Sequence, residues 1–239
     1  MTVLYAAKDG VATITLDRPA SRNALNLAMC EELLAAAQAA AADSSLKLVL
    51  VRAIGPVFCA GADLKERQGM NQAQVRARRM KAFAAYSALE ALPMPVIAVL
   101  EGPAVGSGCE IAAACDFVLA TPAASFRVPE AIRGTVGATQ RLPRILGKRM
   151  AKDLLFTGRT LSAEQAERHG LVSRLVAPEK LAAVVAEISR IIAEEPAQAL
   201  RLAKRCVDRG VELDPQGALE TEIAAIEEQL AFGDWLGKK

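Results

Sequence analysis

The sequence predicts an α/β body followed by an all-helical tail. Short, β-rich apolar runs at 11–16, 47–54, 96–100 and 117–120 alternate with longer helical stretches. The strand signal stops near residue 177, and only helical patterns follow it. The division falls into a core over 1–195 and a helical region over 196–239.

Val11 to Leu16 alternates in polarity and reads as a strand ended by Asp17-Arg18-Pro19. Asn26 is placed to cap a helix that runs through Met29, Leu33 and Leu34 to about Ala42, where alanine favours helix. Lys47 to Ile54 is nearly all apolar, as a strand buried on both faces would be. After the loop 55–65, residues 72–91 form a helix that Pro93 and Pro95 stop. Its Arg76, Arg78, Arg79 and Lys81 are expected on or near a solvated face. Val96 to Leu100 is the third strand, Gly102 to Gly108 a loop, and Cys109 to Cys115 a helix start. Phe117 to Ala120 is the fourth strand, and Ser125 to Arg127 is expected to continue the sheet.

A helix covers 148–156. Ser162 and Gln165 make a capping box for another that Gly170 closes. Leu171 to Val176 is a short strand. Helices follow from Pro178 to Glu194, Pro196 to Arg209 and Pro215 to Phe232.

Composition narrows the function classes. The chain has 239 residues, 52% apolar, with a net charge of +2, so bulk charge points to neither nucleic acid nor an acidic surface. Its five cysteines are odd in number and lack zinc-ligand spacing, as in a reduced, cytoplasmic protein. Neither a signal-peptide pattern nor an apolar run long enough to span a membrane is evident.

Three loops carry the chemistry. Gly106-Ser107-Gly108-Cys109-Glu110 and Val128-Pro129-Glu130 place two glutamates among small residues. Phe58-Cys59-Ala60-Gly61-Ala62-Asp63 is a third loop, with no bulky side chain at 60–62. Where glycines lead into a helix, backbone N–H groups are exposed at the positive end of the helix dipole, ready for an anionic oxygen. Ser107 and the 60–62 loop can each supply one such donor. Two carboxylates in a poorly hydrated pocket cannot both ionise easily, so one pKa rises and the pair can hold a proton on one member.

Competing motifs fail on their own terms. A dinucleotide fingerprint starting at Gly106 would need a small residue where Ile111 stands. A nucleophile elbow around Ser107 would need glycines in place of Val105 and Cys109. The single histidine, His169, sits just before Gly170 and reads as a helix C-terminal partner.

At these residues the chain resembles the enoyl-CoA hydratase (crotonase) family over about residues 3–210. Arg18-Pro19 with Arg22-Asn23-Ala24-Leu25-Asn26 resembles the N-terminal signature, and Phe58 to Lys65 the first oxyanion loop. Gly102 to Asp116 resembles the second such loop. Ser125 to Glu130, Thr139-Gln140-Arg141-Leu142 and Gly158 to Val176 resemble later segments. The resemblance implies a crotonase-like spiral of ββα turns with a C-terminal helical region that builds trimers or hexamers. It implies Ala62 and Ser107 as oxyanion donors through backbone N–H, and Glu110 and Glu130 as the catalytic pair. Ala60, Asp63, Leu64 and Lys65 match positions lining the CoA site, and Arg22 and Ala24 positions near its nucleotide end.

The implied reaction is reversible syn addition of water to a 2-trans-enoyl-CoA, in fatty acid or related acyl-CoA degradation. CoA arrives as part of the substrate, with no metal or other cofactor. Double-bond isomerisation is the nearest alternative, and a non-catalytic CoA-thioester or RNA-binding homologue the next. Two departures from the family stand out. The loop Gly134 to Thr139 is about three residues shorter than usual, and the chain ends at Trp235 to Lys239, before a last helix that most members carry. The acyl pocket is therefore expected to be more open, or completed by a neighbour.

Overall fold

The computed structural model describes residues 1–232, so the expectation about 235–239 lies outside the described residues. Strands β1 (Val3–Lys8), β2 (Val11–Leu16), β3 (Leu48–Ala53), β4 (Val96–Leu100), β6 (Phe117–Ala120) and β9 (Arg174–Leu175) form one sheet in the order β1-β2-β3-β4-β6-β9. β1 and β2 are antiparallel, and the remaining neighbours are parallel. A second sheet joins β5 (Ala104–Val105), β7 (Ser125–Arg127) and β8 (Thr160–Ser162) in the order β5-β7-β8. Helices α1 (Leu27–Ala42), α2 (Leu64–Arg67), α3 (Gln72–Glu90), α4 (Ser107–Ala113), α5 (Arg141–Thr157), α6 (Ala163–Arg168), α7 (Pro178–Glu194), α8 (Ala197–Gly210) and α9 (Pro215–Ala231) complete the described chain.

The central strands are apolar on both sides because two layers cover them. Val49, Val51, Val96, Ala98 and Leu100 face a core shared with Leu33 of α1 and Leu89 of α3. Leu48, Leu50, Ile97 and Val99 face Leu181 and Ile188 of α7. Each such Val, Leu or Ile side chain stabilises the fold by about 1.5–3 kcal/mol relative to exposure. β1 lacks this pattern: only Val3 is buried, as befits an edge strand, and its sequence gives no periodic signal.

Several elements depart from the sequence expectation. Ser125 to Arg127 does not continue the main sheet. It pairs with β5, whose two residues are too few to register as a strand, and with β8. The helix expected from Cys109 begins at Ser107, directly after Gly106. The helix expected over 148–156 extends back to Arg141 across a kink at Gly147 (φ 75°). Pro143 lies in its first turn, where a missing N–H costs little. The strand expected over 171–176 contracts to Arg174 and Leu175.

Caps follow the sequence closely. Asn26 Oδ1 accepts from Met29 N at 2.9 Å, and Ser162 and Gln165 bond reciprocally at 3.2 Å.

The arginine-rich face needs the largest correction. Arg78 is buried, not solvated: its Nε donates to Glu66 Oε2 at 2.7 Å, and its Nη2 donates to the carbonyl of Leu25. Glu66 in turn accepts from Leu27 N at 2.9 Å. Arg78 shares a helix face with Ala82, Ala85, Tyr86 and Leu89, so its position follows the buried stripe of α3. This ion pair ties α3 to α2 and to the start of α1.

Candidate active site

The loop after β3 and the loop after β4 are pinned together. Val105 N donates to Cys59 O at 2.8 Å, and Cys59 N donates to Pro103 O at 3.2 Å. Gly61 has φ 93°, and a Cβ there would stand 3.0 Å from Val105 O. A side chain at 61 would therefore push the loops apart. Ala62, next along, bridges to Leu25. Its N–H, and that of Ser107 at the first position of α4, donate to no protein acceptor among the described residues. Both residues line a cavity of about 500 Å³.

Glu110 and Glu130 line the same cavity. Glu110 is buried in the first turn of α4. Its Oε1 accepts from Ala138 N at 2.7 Å and its Oε2 from Arg141 Nη1 at 3.1 Å. Arg141 also donates to Glu90 Oε2 at 2.6 Å. Burial opposes the Arg141 charge, but the bonds to Glu90 and Glu110 outweigh it and raise its pKa.

Glu130 follows Pro129 and opens a short 3-10 turn, Ala131–Arg133. Its Oε2 is buried and has no hydrogen-bond partner among the described residues. Burial pushes its pKa up, and the charge of Glu110 pushes in the same direction, while Arg133 and Arg79 partly oppose. The two carboxyl groups therefore sit in unlike surroundings: Glu110 is an acceptor at both oxygens, and Glu130 has room for a proton.

The loop over 134–139 is braced by α3. Arg79 Nη1 donates to Thr135 Oγ1 at 3.2 Å, and its Nη2 donates to the carbonyl of Val136. Gly137 packs on Glu130, where a Cβ would approach Glu130 Cγ to 3.0 Å. Tyr86 is buried against the cavity beside Ser107, and burial raises its phenol well above the ordinary range.

The remaining anticipated positions are placed differently. Leu64 lines the cavity, whereas Ala60, Asp63, Lys65, Arg22 and Ala24 are absent from its lining. Asp63 is occupied structurally: its Oδ1 caps α2 through Lys65 N at 2.9 Å, and its Oδ2 accepts from Arg18 Nη1 at 2.6 Å. Arg22 is exposed, and its carbonyl accepts from Ala60 N at 3.0 Å.

Sequence reasoning gave no role to Ala138, Arg141 or Tyr86. Burial also removes the thiols of Cys30, Cys59, Cys109 and Cys115 from consideration as nucleophiles; it pushes Cys59 up to about 12. Among the described residues no group of three or more His, Cys, Asp or Glu side chains is arranged to hold a metal ion.

Comparison with known proteins assigns the class. The sequence matches the model of the family described as enoyl-CoA hydratase/isomerase over residues 6–232. The chain belongs to that family, whose members are enzymes of CoA thioesters, and it has the crotonase fold. It is 40% identical over 228 residues to the mouse (Mus musculus) protein named enoyl-CoA hydratase domain-containing protein 2, mitochondrial, covering 92% of this chain and 77% of the relative. It is 36% identical to the enoyl-CoA isomerase/hydratase fer4 of Mycosarcoma maydis, covering 94% of this chain and 86% of the relative. The crystal structure of an enoyl-CoA hydratase from Bacillus anthracis superposes with a TM-score of 0.94 at 36% identity, covering 99% of this chain and 93% of the other. No helix among the described residues is long and apolar enough to cross a membrane.

Proposed function

We propose that the protein is an enoyl-CoA hydratase that adds water reversibly to a 2-trans-enoyl-CoA to give the 3-hydroxyacyl-CoA. One observation carries the reading: two carboxyl groups in unlike environments share a cavity with two backbone N–H groups that have no acceptor among the described residues. The thioester oxygen would accept from Ala62 N and Ser107 N, which stabilise the enolate as charge develops. Water between the glutamates would give a proton to the Glu110 carboxylate as its oxygen bonds to C3. Protonated Glu130 would give its proton to C2 on the same face, and proton exchange between the carboxyl groups and solvent would reset the site.

CoA enters as part of the substrate, and the chemistry needs no further cofactor. The five free cysteines suit a reducing compartment, and we place the protein in the cytoplasm. Exposed Val207 on α8, with Ile223, Ile226 and Leu230 on α9, supports self-association as a trimer or hexamer.

A second reading rests on the bonding of Glu110. Because Ala138 and Arg141 engage both its oxygens, Glu130 is the less committed group, and one carboxyl group suffices to move a proton between C2 and C4 of an enoyl-CoA. The RNA-binding alternative is weakened by the burial of Arg78.

Loss of enoyl-thioester absorbance with crotonyl-CoA tests the proposal. Hydration by the wild-type chain, lost by orders of magnitude in Glu110→Gln and in Glu130→Gln with CoA-ester binding kept, is the expected result. Conversion of a 3-enoyl-CoA without hydration would favour isomerisation. Saturable binding with no turnover would favour the non-catalytic reading.

A further inference from the structure

Arg141 is a largely buried cation between two carboxylates on separate helices. Its Nη2 reaches Glu90 Oε2 at the end of α3 at 2.6 Å, and its Nη1 reaches Glu110 Oε2 in the first turn of α4 at 3.1 Å. Its side chain is 15% exposed, and that of Glu110 is 10% exposed. Glu90, by contrast, is half in solvent. A guanidinium is planar, so fixing one edge on Glu90 fixes the direction of the N–H that meets Glu110. Ala138 N holds the other oxygen of Glu110 from the opposite side at 2.7 Å. Ala138 itself is held at φ 55°, a conformation uncommon for a residue with a side chain, within the shortened loop. The Glu110 carboxylate is thus clamped by one donor from that loop and one from α5.

We infer that Arg141 is a positioning residue, whose guanidinium, anchored on Glu90, fixes the orientation of the Glu110 carboxylate for proton transfer. The inference rests on the reading of Glu110 as one of the acid–base pair. Arg141 acts through Glu110 and touches no reacting atom. A carboxylate oxygen has two acceptor directions, so each Glu110 oxygen keeps one for water after meeting its protein donor. Misplacing such a group by about 1 Å can cost a hundredfold in rate. A buried ion pair that served stability alone would instead lower the melting temperature and leave turnover per folded molecule unchanged.

The test is a double-mutant cycle between Arg141 and Glu110, read as kcat and KM for crotonyl-CoA hydration, for 3-enoyl-CoA isomerisation and for exchange of the α-protons of butyryl-CoA into D2O. Circular dichroism of each variant separates activity from folding. Arg141→Gln is expected to lower kcat about a hundredfold with KM little changed. Arg141→Lys, which keeps a cation in the site should Arg141→Gln not fold, is expected to recover part of the loss. Glu90→Gln, which keeps the Arg141–Glu110 contact and loosens its anchor, is expected to fall between wild type and Arg141→Gln. In the Glu110→Gln background, Arg141→Gln should add almost nothing. Full additivity, or wild-type kcat in folded Arg141→Gln or Arg141→Lys, would overturn the inference while leaving the hydratase reading intact. A wild-type chain inactive in all three assays would overturn both.

Discussion

The carboxyl group of Glu130 lies against the backbone of Gly106, so closely that a Cβ at position 106 would stand 2.3 Å from Glu130 Oε1. Gly106 also has φ 49° and, through its N–H, bonds to Arg127 O at 2.8 Å. One residue thus sets both the entry to α4, where Ser107 N is bare, and the seat of the second glutamate. Gly106→Ala should expel Glu130 from its seat and strain the turn, whose φ 49° and ψ −106° a residue with a side chain rarely adopts, at a cost of about 1–3 kcal/mol. Thermal melting should show the loss of stability, and hydration should fall towards the level of Glu130→Gln. Full activity in Gly106→Ala would show that Glu130 works from another position.

The burial of Glu130 has a consequence for stability. Its folded pKa is raised, so the folded state holds this proton at a pH where the unfolded chain releases it. The favourable contribution is complete below the unfolded pKa and is lost as pH rises through the folded one. Glu130→Gln cannot ionise and escapes that loss. Its melting temperature relative to wild type should therefore climb as pH rises from the acidic range towards neutrality. Parallel curves at every pH would mean that Glu130 ionises as easily in the fold as outside it.

The meeting of four residues in one cavity was legible in the sequence. Ala62, Ser107, Glu110 and Glu130 all line one cavity; the first three sit where small residues lead into a helix start, and Glu130 follows Pro129 just past the end of β7, which are local signals. Arg141 and Ala138 escaped because their importance is tertiary: each meets Glu110 from about thirty residues away, and no local pattern encodes that meeting. Arg78 was misplaced for a different reason. Its position follows the apolar period of α3, with Ala82, Ala85 and Leu89, but its charge suggested solvent. The small second sheet was invisible because β5 has two residues, and strand reading needs four or more to show alternation.

The ion pair of Arg78 with Glu66 is expected to matter to the fold more than to any external ligand. Its side chain is 3% exposed and that of Glu66 is 23% exposed. Arg78→Met would leave Glu66 without its cation and the Leu25 carbonyl with only its bond from Asp63 N, at a cost of about 3–5 kcal/mol. Urea denaturation should show this as a lower midpoint. An unchanged midpoint, together with weakened salt-sensitive RNA binding, would restore the solvated-face reading of this helix.

Ser107 separates backbone from side-chain contributions. It occupies the first position of α4, where proline is well tolerated because the N–H makes no intrahelical bond. Ser107→Pro removes the proposed oxyanion donor while keeping the helix start, so the protein should fold and lose about 10²–10³ in kcat. Ser107→Gly keeps the N–H and removes only the hydroxymethyl group beside Tyr86, and it should retain most of the turnover. The two variants, compared by crotonyl-CoA hydration and by circular dichroism, isolate one main-chain N–H. If Ser107→Gly were as impaired as Ser107→Pro, the hydroxyl rather than the backbone would be the group in use, and Tyr86 would become the next residue to change.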